Sequence, residues 1–347
     1  MLVSVVLWWL GSWLVPTIAW GTEPSEFTPT VGADSSDEPR ILGPLPLRNL
    51  SGLAQIFYYP VAERARTLDR SEWRWSTNLF YASINEARQF TNSGFAMDGE
   101  ILRVELRADY GITDALELSV TLPVHYTTSG FLDSVIEGFH DGTGLRRSTT
   151  RRDDQFAQRI TAGGKHIFDV DEDTAGLADV PIQLKYAVLS EDEFPIAAAV
   201  RGGIELPTGN SARSFGSGGV DFDLGLLLEK NFQFVSLFAI GDLLFFQRPQ
   251  KFRSSGAHVR LPAYSAAVGL EAGTRTWWAV HLQLDALSGA VRSTGLSLVE
   301  KTQVVGTIGV SFVPTEATRV RVSVSEDITN AVSSDVVIFT GLEMLVR

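Results

Sequence analysis

The stretch LRVELRADYGITDALELSVTLPVHY, residues 102–126, decides how this chain is read. Leu102, Val104, Leu106, Ala108 and Tyr110 alternate with Arg103, Glu105, Arg107 and Asp109. After a turn at 111–114 the alternation resumes. Leu116, Leu118, Val120, Leu122, Val124 and Tyr126 then stand against Glu117, Ser119, Thr121, Pro123 and His125. Side chains on a strand point alternately to opposite faces, so this hairpin has one apolar face and one charged face. In a soluble sandwich the apolar face would meet a second sheet. In an outer-membrane barrel it would meet lipid, the charged face would line the lumen, and aromatics would mark the interfaces.

Connection lengths separate the two. Twelve alternating segments can be read from Glu72 to the C-terminus, including Val180 to Val188, Val220 to Leu228 and Val320 to Val324. One of them, 232–246, is apolar on both faces. The connections alternate between short turns at 111–114, 190–193, 230–231, 273–276 and 314–317 and longer polar loops at 85–98, 127–177, 207–219, 247–259, 289–300 and 327–334. Short turns on one rim, long loops on the other and an even strand number are the outer-membrane pattern; a Greek-key sandwich mixes its loop lengths. Trp73, Trp75, Tyr110, Phe194, Phe232, Trp277, Trp278 and Phe312 lie beside the short turns, and Tyr81 and Tyr126 beside the long loops, as two interfacial girdles would. The expected fold is therefore all-β: a transmembrane antiparallel up-and-down barrel of about twelve strands, with short turns on the periplasmic side and long loops outside.

Composition narrows the functions available. The 347 residues carry a net charge of −12, which argues against nucleic acid or an anionic surface as partner. There is no cysteine, so disulfides, iron–sulfur clusters and thiol nucleophiles are excluded. Nothing in the residues calls for a cofactor. Mean hydropathy is +0.08, and beyond the N-terminus no run of about eighteen apolar residues, the length of a spanning helix, occurs.

Residues 1–21 read as a signal peptide. An apolar run ends at Ala19-Trp20-Gly21, with small residues where a signal peptidase reads them, although no Lys or Arg precedes the run. An N-terminal anchor helix is the competing reading, and an upstream start would account for the missing charge. Residues 22–70 are expected to form a flexible periplasmic N-terminal segment, rich in Pro, Ser, Thr, Asp and Glu as far as about residue 47. Its apolar patch of Leu53, Ile56, Phe57, Tyr58 and Tyr59 needs cover. It packs at the barrel opening, enters the lumen as a plug or stays as a small surface segment. Residues 71–347 form the barrel, with a large extracellular loop at 127–177. The expected location is the cell outer membrane, with its lipid and lipopolysaccharide as partners. The sequence sets no oligomeric state.

Strand parity gives the lumen lining: Arg103, Glu105, Arg107, Asp109, Glu117, His125, Lys185, Arg201, Glu205, Asp221, Asp223, Glu229, Glu271, His281, Asp285, Arg321 and Glu343. Such a set makes either a water-filled, mildly cation-favouring channel or an interior filled by its own ion pairs. In the long loop, Phe131, Leu132, Val135, Ile136 and Phe139 recur at helical spacing and are candidates for a gate at the mouth. Asp169, Asp171 and Asp173 imitate the start of a calcium loop, but Thr174 stands where glycine is needed and Val180 where glutamate is. A lipid hydrolase would need Ser and His together on the lipid face. His125 and His281 have lumen parity and no serine two positions away, so no enzymatic activity is expected.

The loop Gly130-Phe131-Leu132-Asp133-Ser134-Val135-Ile136-Glu137-Gly138-Phe139-His140-Asp141 resembles a recurring motif of a proteobacterial family of unknown function, the one numbered 3187. Gly43-Pro44-Leu45 with Arg48-Asn49, and Gly176-Leu177-Ala178-Asp179-Val180 with Lys185-Tyr186, resemble its other segments. Leu206-Pro207-Thr208-Gly209 is similar to a strand-end motif of barrels tied to aromatic-compound degradation. The resemblance covers about residues 43–347. It implies an outer-membrane-type barrel and supplies no activity and no site residues. Together these readings lead to the expectation of a passive channel or facilitator for a small solute. The alternative is a non-conducting structural or surface-interaction barrel with a filled lumen.

Overall fold

The computed structural model describes residues 41–89, 91–128, 157–273, 277–329, 331–334 and 336–347. Its strands in chain order begin with β1 (Trp73–Gln89), β2 (Gly94–Thr113), β3 (Leu116–Thr128), β4 (Ala157–Ala162), β5 (Lys165–Val170) and β6 (Thr174–Leu177). Next come β7 (Val180–Leu189), β8 (Ala197–Leu206), β9 (Asp221–Asn231), β10 (Val235–Phe245), β11 (His258–Val259) and β12 (Ala263–Ala272). The last are β13 (Trp278–Leu287), β14 (Val291–Arg292), β15 (Gln303–Thr315), β16 (Thr318–Asp327) and β17 (Val336–Val346). Twelve of these pair antiparallel in the circular order β1-β17-β16-β15-β13-β12-β10-β9-β8-β7-β3-β2, and β2 returns to β1. Closure removes both sheet edges, as a bilayer requires, because hydrocarbon cannot satisfy an open ladder. The expected twelve-stranded barrel is what forms.

The shortest barrel strands have 10 residues, enough to cross the hydrocarbon when tilted. Several connections differ from expectation: the turns expected at 190–193 and 230–231 fall at 190–196 and 232–234, and the long loops at 85–98 and 127–177 carry extra pairing. β1 and β2 do not stop at 85 and 98 but stay paired as far as Gln89 and Gly94, so this hairpin stands above the rim. There β4 pairs with β2, β5 with β4, and β6 with β3, so residues 157–177 of the long excursion extend the wall.

Parity sorts the side chains. Leu122, Leu184, Leu224, Val268, Leu282 and Ile308 are exposed on the outer face, Ile308 by 58%, whereas Glu117, His125, Asp221 and Glu271 are 0% exposed. Trp73 stacks on Trp75 at 5.6 Å, and Trp277 on Phe312 at 5.8 Å, both pairs beside short turns. An apolar exterior around a charged, covered interior is a soluble protein turned inside out.

The cover is residues 41–70. The flexible segment expected over 22–70 is corrected for its described part, 41–70: Ile41, Leu42, Leu45, Leu50, Phe57, Tyr58 and Leu68 are buried. The cause is hydrogen bonding to inward side chains. Leu42 and Gly43 N–H donate to the Glu271 carboxylate, and Leu45 N–H donates to the Gln283 amide oxygen. The segment climbs from these contacts at the short-turn end to an apex at Gly52–Gln55, a 3-10 turn near the long loops. It then descends until Leu68 N–H reaches Glu117 and Ser71 N–H reaches the Gly111 carbonyl. Two inward glycines make room for it. A Cβ on Gly111 would lie 2.0 Å from the Asp69 carbonyl oxygen, and one on Gly309 would lie 2.7 Å from the Leu45 side chain.

Towards the long-loop end the interior turns apolar. Leu50, Leu53, Ile56 and Phe57 of the apex pack with Phe80, Ile84, Met97 and Ile101 of β1 and β2, with Ile160 and Phe168, and with Leu244, Val299 and Phe339. A second apolar patch joins Ile41, Ala62 and Ala65 to Ala199, Leu227, Phe238, Ile240 and Ala267. It explains why 232–246 is apolar on both faces: Phe238 and Ile240 point inward at the segment, Leu237 and Leu243 outward.

The lipid-facing assignment is testable at Leu226, 49% exposed on β9. In a soluble protein an exposed Leu→Arg change is close to neutral. Here Leu226→Arg is expected to cost about 2–4 kcal/mol in urea titrations of folding into lipid vesicles.

Candidate functional site

The lumen is filled by a network in which strand charges and segment charges answer one another. On β2, Arg103 binds Glu105 at 2.6 Å and Arg107 binds Asp109 at 2.6 Å, each pair two residues apart on one face. Arg74 of β1 adds a second contact to Asp109 at 2.8 Å and one to Glu117 at 3.3 Å. Lys185 lies 3.0 Å from Glu117, and Arg201 lies 2.6 Å from Asp242 and 3.8 Å from Asp223. Glu343 pairs with Arg321 and, at 3.9 Å, with Arg319.

The segment supplies three further charges. Arg48 donates to Glu105 at 2.8 Å, and Arg64 pairs with Glu229. Glu63 receives three cations from three strands: Arg201 at 2.6 Å, Arg107 at 3.0 Å and Lys185 at 3.4 Å. Burial pushes the Glu63 carboxyl up, but Lys185, Arg107 and Arg201 outweigh it and hold the group well below the usual carboxylate range. Side-chain amides and hydroxyls complete the fit. Gln283 donates to the Leu45 carbonyl, Asn49 bonds Gln303, the Ser51 hydroxyl donates to the Val332 carbonyl, and the Tyr59 hydroxyl donates to the Ser288 carbonyl.

The remaining lining residues lie on the same inward face. His125 contacts Arg103 at 2.6 Å, and His281 contacts Ser311 at 2.7 Å across neighbouring strands. The second pair is invisible to a search within one strand, because cross-strand register alone brings it together. Both histidines are buried in the lumen wall rather than on the lipid face that a lipid hydrolase would use. Glu205 and Asp221 are register partners between β8 and β9, and Asp221 accepts from Gln247 N–H. Asp285 accepts from the Gln283 amide at 2.9 Å. Sequence reasoning missed Arg74, Asp242 and all three segment charges. Arg74 and Asp242 show inward parity, but Asp242 sits in the run that is apolar on both faces.

The gate candidates Phe131, Leu132, Val135, Ile136 and Phe139 lie outside the described residues. Asp169 and Asp171 both contact Arg159, at 2.7 and 3.4 Å. Among the described residues no group of three His, Cys, Asp or Glu is spaced to hold a metal ion.

Beside the segment the lumen retains a cavity of about 50 Å³ bordered by Glu63, Arg74, Arg107 and Arg321. Another, of about 30 Å³, is bordered by Arg48, Arg103, Asp242 and Asp285. Each is the size of one or a few waters.

A family model described as "protein of unknown function (DUF3187)" matches residues 28–345. Among solved structures, the COG4313 outer membrane channel from Pseudomonas putida F1 is 12% identical with a TM-score of 0.55, covering 81% of this chain and 98% of that one. At this identity the likeness is one of fold, and the fold is that of an outer-membrane barrel. The NanC porin is 8% identical with a TM-score of 0.46, covering 78% of this chain and 98% of its own. The P. putida toluene transporter TodX is 10% identical with a TM-score of 0.34, covering 80% and 89%. Among curated proteins none matches this sequence.

Two outcomes follow from the charge network. Glu229→Gln removes the counter-charge of Arg64, whose side chain is 18% exposed. Urea unfolding of the refolded barrel should show a loss of about 3–5 kcal/mol, the usual cost of breaking a buried pair from one side. Glu63 has a lowered carboxyl pKa, so its contribution is complete above its ordinary value of 4.5 and is lost as pH falls through the lowered value. The stability difference between wild type and Glu63→Gln should therefore be constant from about pH 5 to 7 and shrink only in stronger acid.

Proposed function

We propose that this chain, which belongs to the DUF3187 family of proteins of unknown function, is an outer-membrane channel for a small solute, closed at rest by its own residues 41–68. In this reading the short turns face the periplasm, and the segment enters from that side and is withdrawn to the same side. One observation carries the proposal. Between Leu42 and Leu68 the segment is held by bonds to strand side chains, such as Glu271, Gln283, Glu105, Glu229 and Glu117. It adds no strand to the barrel, whose circular ladder is complete without it. Withdrawal would therefore uncover a lumen lined by fixed charges and break no interstrand bond. A plug woven into the sheet would lack that property.

The opposing observation is the apolar apex, where Leu50, Leu53, Ile56 and Phe57 are buried. It favours a permanently filled, structural barrel. Planar-bilayer recordings on the full chain separate the two. The wild type should be mostly closed, with rare openings. The double change Glu63→Lys with Arg64→Glu sets like charges against Arg107, Lys185 and Arg201 and against Glu229. This variant should open in discrete, frequent steps while still showing the gel mobility of a folded barrel. Silence of the folded variant at all voltages would favour the structural reading.

A further inference from the structure

The position of Glu63 has the construction of a binding site. Its Oε1 receives an N–H from Arg201 at 2.6 Å, and its Oε2 receives Arg107 at 3.0 Å and Lys185 at 3.4 Å. The three donors come from β8, β2 and β7 and converge on one carboxylate, both of whose oxygens are used. Each cation is also fixed from behind by an acid of the wall: Asp242 on Arg201, Asp109 on Arg107 and Glu117 on Lys185. Such outer partners orient a charged group while leaving its remaining N–H groups aimed inward. The wall thus presents three preset donors to whatever carboxylate occupies the lumen at this level.

Next to Arg201 the surface is apolar. Ala199 precedes it on β8, and Ala199, Leu227, Ile240 and Ala267 form the patch against which the segment lays Ala62 and Ala65. With the Arg64 side chain turned to Glu229, Ala62, Glu63 and Ala65 combine one carboxylate with a small apolar body. From this we infer that the segment occupies a solute subsite, and that the solute class is a small organic acid: one carboxylate on Arg107, Lys185 and Arg201, and an apolar body on the Ala199–Leu227–Ile240 wall. The inference rests on reading the segment as removable. A phosphate lacks the apolar body, and a neutral aromatic lacks the charge; neither makes both sets of contacts.

Glu63 is tethered in place, so a free acid binds the wild type with an affinity reduced by the fraction of time the site is vacant. Glu63→Gln removes the resident charge. Titration calorimetry of the refolded full chain should show benzoate binding Glu63→Gln at least about tenfold more tightly than wild type. Benzyl alcohol and inorganic phosphate should give no comparable gain, and Lys185→Gln added to Glu63→Gln should abolish the benzoate gain. Equal benzoate affinity in wild type and Glu63→Gln, an equal gain for phosphate, or indifference to Lys185→Gln overturns the assignment. A measurement on the unmodified chain stands beside it. Benzoate, and not benzyl alcohol, should accelerate trypsin cleavage after Arg64 and Arg66 by displacing the segment. Equal rates with the two additives count against the assignment. Binding is read without conductance, so a barrel that binds benzoate yet never conducts contradicts the channel alone.

Discussion

Ionised side chains facing a covered lumen must be met by opposite charge or by hydrogen bonds, and in this barrel part of that answer arrives on a segment that belongs to no strand. Burying an unpaired carboxylate or guanidinium costs several kcal/mol even after relaxation. Glu229 is met by Arg64, Glu105 by Arg48, and the cations Arg107, Lys185 and Arg201 by Glu63. The lining and residues 41–70 are thus two halves of one electrostatic arrangement. The glycines at 111 and 309 are its steric counterpart, since side chains there would occupy the space of Asp69 and Leu45.

Magnitudes separate what positions the segment from what holds it. Buried ion pairs give little net stability, because desolvation consumes most of their attraction. Each fully buried Leu, Ile or Phe contributes about 1.5–3 kcal/mol. The apex, with Leu50, Leu53, Ile56 and Phe57 against Phe80, Met97 and Ile160, therefore supplies most of the retention. The charges below it set the register and penalise misplacement. In such an arrangement a change of charge at Glu63 or Arg64 alters where the segment sits more than whether the barrel folds.

Much of this was legible in the residues. Alternation within 102–126 gave the two faces of β2 and β3, because parity in a strand admits no intermediate orientation. The even strand count and the alternating connection lengths gave closure. The occupant of the lumen was harder to read, since residues 41–47 are short of apolar side chains and are held through backbone N–H groups, which every sequence possesses. Four residues did hint at it. Phe238 and Ile240 have inward parity in a lumen expected to be charged, and such positions in a water-filled pore would face water. Tyr58 and Phe57, in a stretch expected to be flexible, likewise demanded a partner. The His281–Ser311 contact and the role of Asp242 depend on register between strands, which pattern within one strand does not encode.

Hydrogen–deuterium exchange on the refolded full chain decides whether residues 41–68 lie inside the lumen. The N–H groups of Leu42, Gly43, Leu45 and Leu68 donate to Glu271, Gln283 and Glu117 inside the barrel. They should exchange on the slow timescale of the strand amides of β12 and β13 rather than that of a free peptide. Exchange of all four at the free-peptide rate, with the barrel strands protected, would mean that the segment does not occupy the lumen.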